Sequence, residues 1–340
     1  MEIRRIQQTG GSSFIITLPK EWIKSVNIKK NDPIGIIIKP EGSLIITPKL
    51  TSESEQTTKE FQVSDKTNKK NLLRELIGAY ISGYTYLEIT SKDRIPIKIR
   101  DTIRNYTNLT IGQEIIEETD TSIIVKDLLN PTEMPFERTI KRMYIIVKGM
   151  HEDVLSYLES RDENIIKDID ERDNDVDKLH WLVARQHNIL SQNFSLGEKM
   201  NIKPGKSTTY FLISRIIERI GDHEVKIIKN FQKDPDQIID KQILDKIQIA
   251  GKKSLDIFNK SINSFYKKDI KESNENIEEV NELERFCDEI NEIALKQEGG
   301  KSLTIGYITD SIRRIAEYSQ DISENVINYL ISSYSIRKSK

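Results

Sequence analysis

The sequence predicts a multi-domain, mainly α protein: a small β-rich head, a small α/β module, then a long helical region. Three observations carry this. β-branched runs broken by turn residues are concentrated in the first 50 residues, helix and strand signals alternate over 67–131, and apolar residues recur with helical period over 135–336. The chain of 340 residues has room for two or three domains with real cores. Its 31% charged and 36% hydrophobic residues suit a globular chain in water. No apolar run approaches the ~18 residues of a membrane span, and the N-terminus lacks the apolar core of a secretory leader. A single cysteine, Cys287, excludes an intrachain disulfide and a cysteine zinc cluster. No membrane insertion and a cytoplasmic location are expected.

In the head, Phe14–Leu18 is expected as a strand after Gly10-Gly11-Ser12-Ser13, with a short helix at Lys20–Val26. Ile34–Lys39 and Leu44–Thr47 should pair as a hairpin across Glu41-Gly42-Ser43. So few short elements bury little apolar surface, and a second copy is the simplest remedy. Residues 51–65 are polar and aperiodic, the expected pattern of a linker. The α/β module over 67–131 should hold helices at Lys69–Ser82 and Ile97–Tyr106 and strands at Tyr84–Thr90 and Ser122–Val125. Six helices follow, at Phe136–Leu158, Asp162–Asn193, Thr208–Gln232, Pro235–Tyr266, Lys268–Gln297 and Ser302–Ile336. Breaks at Ser160-Arg161, Ser195 to Ser207, Lys233-Asp234-Pro235, Lys267-Lys268 and Gly299-Gly300 separate them. Short connections imply antiparallel neighbours, and the likeness of the third and sixth helices implies two three-helix bundles, 135–232 and 235–336.

Charge divides the chain. Residues 1–50 carry a net +4 and the remainder −6. A basic, self-associating head on an acidic body suits a nucleic-acid reader, because phosphate neutralisation supplies most non-specific affinity. Arg4-Arg5-Ile6, Gly10-Gly11-Ser12-Ser13, Ile15-Ile16-Thr17-Leu18-Pro19-Lys20 and Asn27 to Asp32 together resemble the SpoVT/AbrB swapped-hairpin family. That resemblance implies an intertwined homodimer on double-stranded DNA. It places Arg4, Arg5, Ser12, Ser13 and Lys20 at DNA-facing positions, with Lys24 a weaker candidate.

In the helical region, Leu212, Ile213, Ile216, Ile220 and Ile227 form one stripe of the third helix. Glu218 and Asp222 fall together on its other side. Carboxylates one turn apart repel unless a proton, an arginine or a cation intervenes. Gly221 beside them suggests close approach by another group. One such pair is ordinarily a solvated face, but the arrangement recurs at Asp173/Asp177, Glu284/Asp288 and Glu317/Asp321. Pairs on adjoining helices can converge on a hard cation through oxygen donors. Glu218-Arg-Ile-Gly-Asp-His223 and Asp173-x-x-Val-Asp-x-Leu179 resemble the PhoU family, tandem three-helix bundles that regulate phosphate uptake. With the AbrB-like head, the combination resembles archaeal PhoU-type regulators. The resemblance implies a divalent or iron-type metal ion at Asp173, Asp177, Glu218 and Asp222. A weaker second site is implied at Glu284, Asp288, Glu317 and Asp321, where Arg313 aligns with Glu218. Arg313 and Arg314 could alternatively face an anion.

Other motifs carry less. Gly205-Lys206-Ser207 lacks the upstream glycine of a P-loop and is expected as a loop between helices. Cys287 is expected as a packed, inert thiol. His151, His180, His187 and His223 are expected at surfaces or core edges, and no catalytic triad is apparent. The function expected is a non-enzymatic regulator of phosphate homeostasis that binds DNA and senses transport or phosphate status through partners such as phosphate ABC transporter components. The alternatives are an adaptor without DNA binding, or a carboxylate-metal bundle enzyme, against which stands the absence of a Glu-x-x-His pattern.

Overall fold

The computed structural model describes residues 2–38, 42–48, 56–232, 239–297 and 300–334. It divides into two compact units, Met1–Glu55 and Gln56–Lys340.

The first unit contains two separate antiparallel hairpins, β1 (Gln7–Thr9) with β2 (Ser13–Ile15) and β3 (Gly35–Ile38) with β4 (Leu44–Thr47). The β1–β2 turn uses Gly10 and Gly11 at φ +62° and +76°, left-handed conformations that favour glycine. Helix α1 (Lys20–Ser25) follows Pro19, whose extended conformation starts the helix cleanly. No described residue of this unit is buried. Phe14 is 71% exposed and Ile38 74% exposed, while Ile37, Ile45 and Ile46 are half-buried.

In the second unit, β5 (Thr58–Gln62), α2 (Lys69–Ser82), β6 (Tyr86–Thr90), α3 (Ile97–Leu109), β7 (Gln113–Glu118) and β8 (Ser122–Asp127) build the α/β module. Its sheet has the order β5-β6-β8-β7, with β5 parallel to β6 and the other pairs antiparallel. Strand β5 occupies part of the stretch expected as linker. It is polar because it is an edge strand, so only Phe61 reaches partway into the core. Strand β7 was not expected either; its sequence Gln-Glu-Ile-Ile-Glu-Glu lacks clean alternation because a bulge interrupts the register between Ile115 and Glu117. Asn68 caps α2 by accepting from the amides of Lys70 and Asn71. Gly83 ends it at φ +97°, where a Cβ would stand 3.0 Å from Ile189 Cγ1.

That close approach marks where the module meets the bundles. The helices there are α4 (Phe136–Ser160), α5 (Glu163–Gln192), the short α6 (Phe194–Lys199), α7 (Pro204–Phe231), α8 (Lys241–Lys267), α9 (Ile270–Ala294) and α10 (Lys301–Tyr334). Helix α6 falls in a stretch expected as a break. Gly205-Lys206-Ser207 lies in the first turn of α7 rather than in a loop, since Pro204 is tolerated at a helix start. The parts of the expected helices at Pro235 and Ile336 lie outside the described residues. Helices α4, α5 and α7 pack together, as do α8, α9 and α10, but α7 also packs against α10. One hydrophobic core runs through both bundles.

Two buried ion pairs lock these parts. His151 of α4 is 1% exposed; its Nδ1 lies 2.7 Å from Glu224 Oε1 of α7 and its Nε2 2.8 Å from the Gly251 carbonyl of α8. The carbonyl can only accept, so Nε2 carries a proton, and a doubly protonated ring would donate to the carboxylate as well and bear a positive charge. Burial opposes that charge, but the Glu224 carboxylate and the two hydrogen bonds raise the histidine's pKa. His151 was expected at a core edge; its burial is set by helix crossing, which sequence period does not reveal. The second pair fastens the module to α5: Arg185 donates to Asp127 Oδ2 from Nε at 2.9 Å and from Nη2 at 2.5 Å, and to the carbonyls of Tyr80 and Tyr84. Arg185→Met leaves Asp127 without its counter-charge, a loss on the order of 3–5 kcal/mol for a buried pair. Urea unfolding should show this; a loss below about 1 kcal/mol would mean that the pair does not secure the module.

Candidate functional site

The stripe on α7 is close to expectation, with one exchange: Leu212 is exposed, and Ile217 joins Ile213, Ile216, Ile220 and Ile227 in the core. The polar side of the helix, bearing Glu218 and Asp222, meets Asp173 and Asp177 of α5. All four side chains are partly buried. Burial and the neighbouring Asp222 push the Asp173 carboxyl up to about 6. Burial followed by the charges of Asp173, Glu218 and Asp222 pushes Asp177 up to about 7. Burial with Asp222 and Asp173 raises Glu218 to about 7, although Arg219 and Arg215 work in the opposite direction.

Nearby acids are each answered by a base. Arg172 reaches Asp153 at 2.5 Å and also pairs with Asp168, while Lys229 reaches Asp170 at 4.0 Å. Among the described residues no ion pair or hydrogen bond reaches Asp173, Asp177, Glu218 or Asp222. Among those residues, too, no three His, Cys, Asp or Glu side chains are gathered closely enough to hold an ion. Sharing one would require these carboxylates to turn toward each other. The glycine needs correcting. A Cβ on Gly221 would sit 3.5 Å from Val147 Cγ2 and 3.6 Å from Asp173 Oδ1, ordinary contact distances that demand no glycine.

The second set differs. Arg313 Nη2 lies 2.5 Å from Asp288 Oδ1, and Arg314 Nη1 lies 2.7 Å from Glu317 Oε2. Burial and Glu324 raise the pKa of Asp321. Both arginines are thus engaged with carboxylates, which weakens their availability to an anion. Cys287 is fully buried, and burial pushes its thiol up to about 11, as a packed side chain should be.

In the head, Arg4 and Arg5 precede β1, Ser12 lies in the β1–β2 turn, Ser13 opens β2, and Lys20 opens α1. All five are exposed, as is Lys24. Arg4 is 3.1 Å from Glu2.

The PhoU domain pattern matches residues 140–231 and 247–326, just over half of the chain. The chain belongs to the PhoU domain family. The two matched segments correspond to the two bundles. Residues 7–53 match a second pattern, described as the antidote-toxin recognition protein MazE, a bacterial antitoxin. Among solved structures, the phosphate transport system regulatory protein PhoU from Streptococcus pneumoniae superposes with a TM-score of 0.50 at 16% identity. The match covers 58% of this chain and 94% of that one. At that identity the likeness establishes the fold. No curated protein matches the chain. Among the described residues no helix is long and apolar enough to cross a membrane.

The PhoU-type body contains side-chain contacts that sequence period did not expose. Arg219 stands over the Tyr318 ring at 5.7 Å, and His223 meets the same ring at 5.6 Å. Only the packing of α7 on α10 joins these residues.

The raised carboxyls fix a pH dependence. In the folded protein Asp173, Asp177 and Glu218 retain protons that the unfolded chain releases near pH 4, so their favourable contribution is complete below pH 4. It is lost as pH rises through about 6 to 7. Chelator-treated protein should therefore lose melting temperature between pH 5 and pH 8. Asp177→Asn should flatten that decline and raise the melting temperature at pH 8. A pH profile unchanged by the substitution would contradict the electrostatic coupling.

Proposed function

We propose that this protein is a non-enzymatic regulator of phosphate homeostasis in which a DNA-binding, dimerising head is joined to a metal-binding PhoU-type body. The observation that carries the proposal is the union of a PhoU-domain body with a MazE-like head whose described cations, and the apolar side chains Ile6, Phe14, Ile36 and Ile38, are exposed. Exposed isoleucines and phenylalanine on two hairpins are a surface that water disfavours, and a second copy would cover it. A dimer would present Arg4, Arg5 and Lys20 twice, giving about six cations for phosphates of double-stranded DNA. Cytoplasmic residence follows from such a target. Phosphate transporter components are the proposed partners of the body, in keeping with the name of the solved relative.

For the body, the donor chemistry of Asp173, Asp177, Glu218 and Asp222 fits a hard divalent or iron-type ion. All donors are oxygen, burial makes their joint ionisation costly, and among the described residues no base bonds them, Lys229, Arg215 and Arg219 acting only through space. A bound cation would supply the positive charge that lets all four ionise together. The protein's residues would hold it and hold α5 to α7.

Two measurements test the head. Log–log plots of DNA affinity against salt should fall with a slope of about −5 for six neutralised phosphates, and alanine at Arg4, Arg5 and Lys20 together should flatten the slope and weaken binding. A triple variant that binds as the parent does at every salt concentration would refute the contact assignment. Sedimentation equilibrium should give a dimer for the full chain, and Phe14→Lys should shift it toward monomer. A parent that sediments as a monomer at all concentrations would remove the dimer.

A further inference from the structure

The two bundles can be compared position by position. Glu218, Arg219, Asp222 and His223 of α7 correspond to Arg313, Arg314, Glu317 and Tyr318 of α10. Asp173 and Asp177 of α5 correspond to Glu284 and Asp288 of α9. The structure supports this register through one equivalent pair. In the first bundle the charge of Glu218 bears on Asp177 as repulsion, and in the second Arg313 bonds Asp288 at 2.5 Å. The same place between helices holds two acids in one bundle and an ion pair in the other.

The next position diverges too. Arg314 turns along its own helix to Glu317 at 2.7 Å. Its counterpart Arg219 could reach Asp222 by the same three-residue step, but it stands over the Tyr318 ring of α10 at 5.7 Å. Cation–π attraction to a ring partly shielded from water competes with a solvated ion pair. The consequence is an asymmetry of contact: two of the four acids in the second set are bonded by arginines, whereas none of the first set is, Arg215 and Arg219 bearing on Glu218 only through space.

We infer that the bundles are chemically unequal: Arg313 is a resident cation that replaces metal in the second bundle, while Tyr318 draws Arg219 aside and leaves the first set open to an imported ion. This rests on the metal reading of the first bundle. In donor chemistry the second set suits an ion less than the first, because a guanidinium occupies a donor position and has no lone pair to give. Tyr318 acts as a positioning residue, through Arg219.

The test is manganese(II) binding to the full chain, read as free ion by electron paramagnetic resonance and as bound ion by equilibrium dialysis. Asp222→Asn should weaken binding at least about tenfold, whereas Asp288→Asn should leave stoichiometry and affinity as in the parent. Arg313→Glu should add bound manganese, and the added ions should persist when Asp222→Asn is combined with it. Tyr318→Leu should weaken binding about fivefold by freeing Arg219 for Asp222, and Tyr318→Phe, which keeps the ring, should restore parental affinity.

Loss of bound manganese in Asp288→Asn would show that the second bundle already holds ions and would overturn the inference alone. A folded Arg313→Glu protein with no added manganese would do the same. If that variant does not fold, the Asp288→Asn result decides. Parental affinity in Tyr318→Leu would overturn the role of Tyr318. A parent that binds no manganese would remove the metal reading itself, and the inference with it.

Discussion

The packing of α7 against α10 is the constraint on which the rest of the body depends. Ile213, Ile217, Ile220 and Ile227 on one helix and Ile308, Ile312, Ile315 and Ile322 on the other are all buried. Each fully buried isoleucine contributes on the order of 1.5–3 kcal/mol, so the rotation of both helices about their axes is strongly determined. Once the isoleucines face the shared core, Glu218 and Asp222 are left to face α5, and Arg313 and Glu317 to lie beside α9. The same rotation brings Tyr318 against Arg219 and His223. Two repeats thereby become one body with two unlike polar flanks.

Elsewhere the protein answers its buried charges inside. His151 and Glu224 are nearly inaccessible, yet each ring nitrogen of the histidine has an oxygen partner. Arg185 and Asp127 satisfy one another and the open carbonyls at the end of α2. These networks tie three helices in the first case and module to bundle in the second. Both are expensive to assemble and more expensive to break, because a lone buried charge has no solvent to fall back on. Against that background the carboxylates between α5 and α7 differ in that none of them makes an ion pair or hydrogen bond among the described residues.

The head follows a different physical logic. Its strands are three and four residues long and cannot enclose a core, since so small a unit has too much surface for the volume it can fill. The body has no such deficit: its core is continuous through six long helices, and the α/β module adds a second cluster around Tyr80, Tyr106 and Leu76. The polypeptide therefore combines a unit with no described buried residue with one that encloses two hydrophobic cores.

The helices, the two hairpin strands of the head and the four carboxylate pairs were legible in the sequence because they depend on local spacing. Period 3.6 survives heavy use of isoleucine, and residues four apart on a helix share a face whatever the helix packs against. Tertiary contacts decided the rest. Strand β5 is defined by its neighbour β6 and not by its own polar sequence, and the glycine at 221 proved to have no steric cause. Arg313 aligned with Glu218 by counting alone, but that it bonds Asp288, and that its neighbour's counterpart Arg219 lies on Tyr318, required the helices to be placed side by side. Sequence determined which charges each helix would carry. Which of those charges meet a partner was decided only by the isoleucine core, because hydrophobic burial sets the helix rotations and the polar groups must take whatever neighbours those rotations bring.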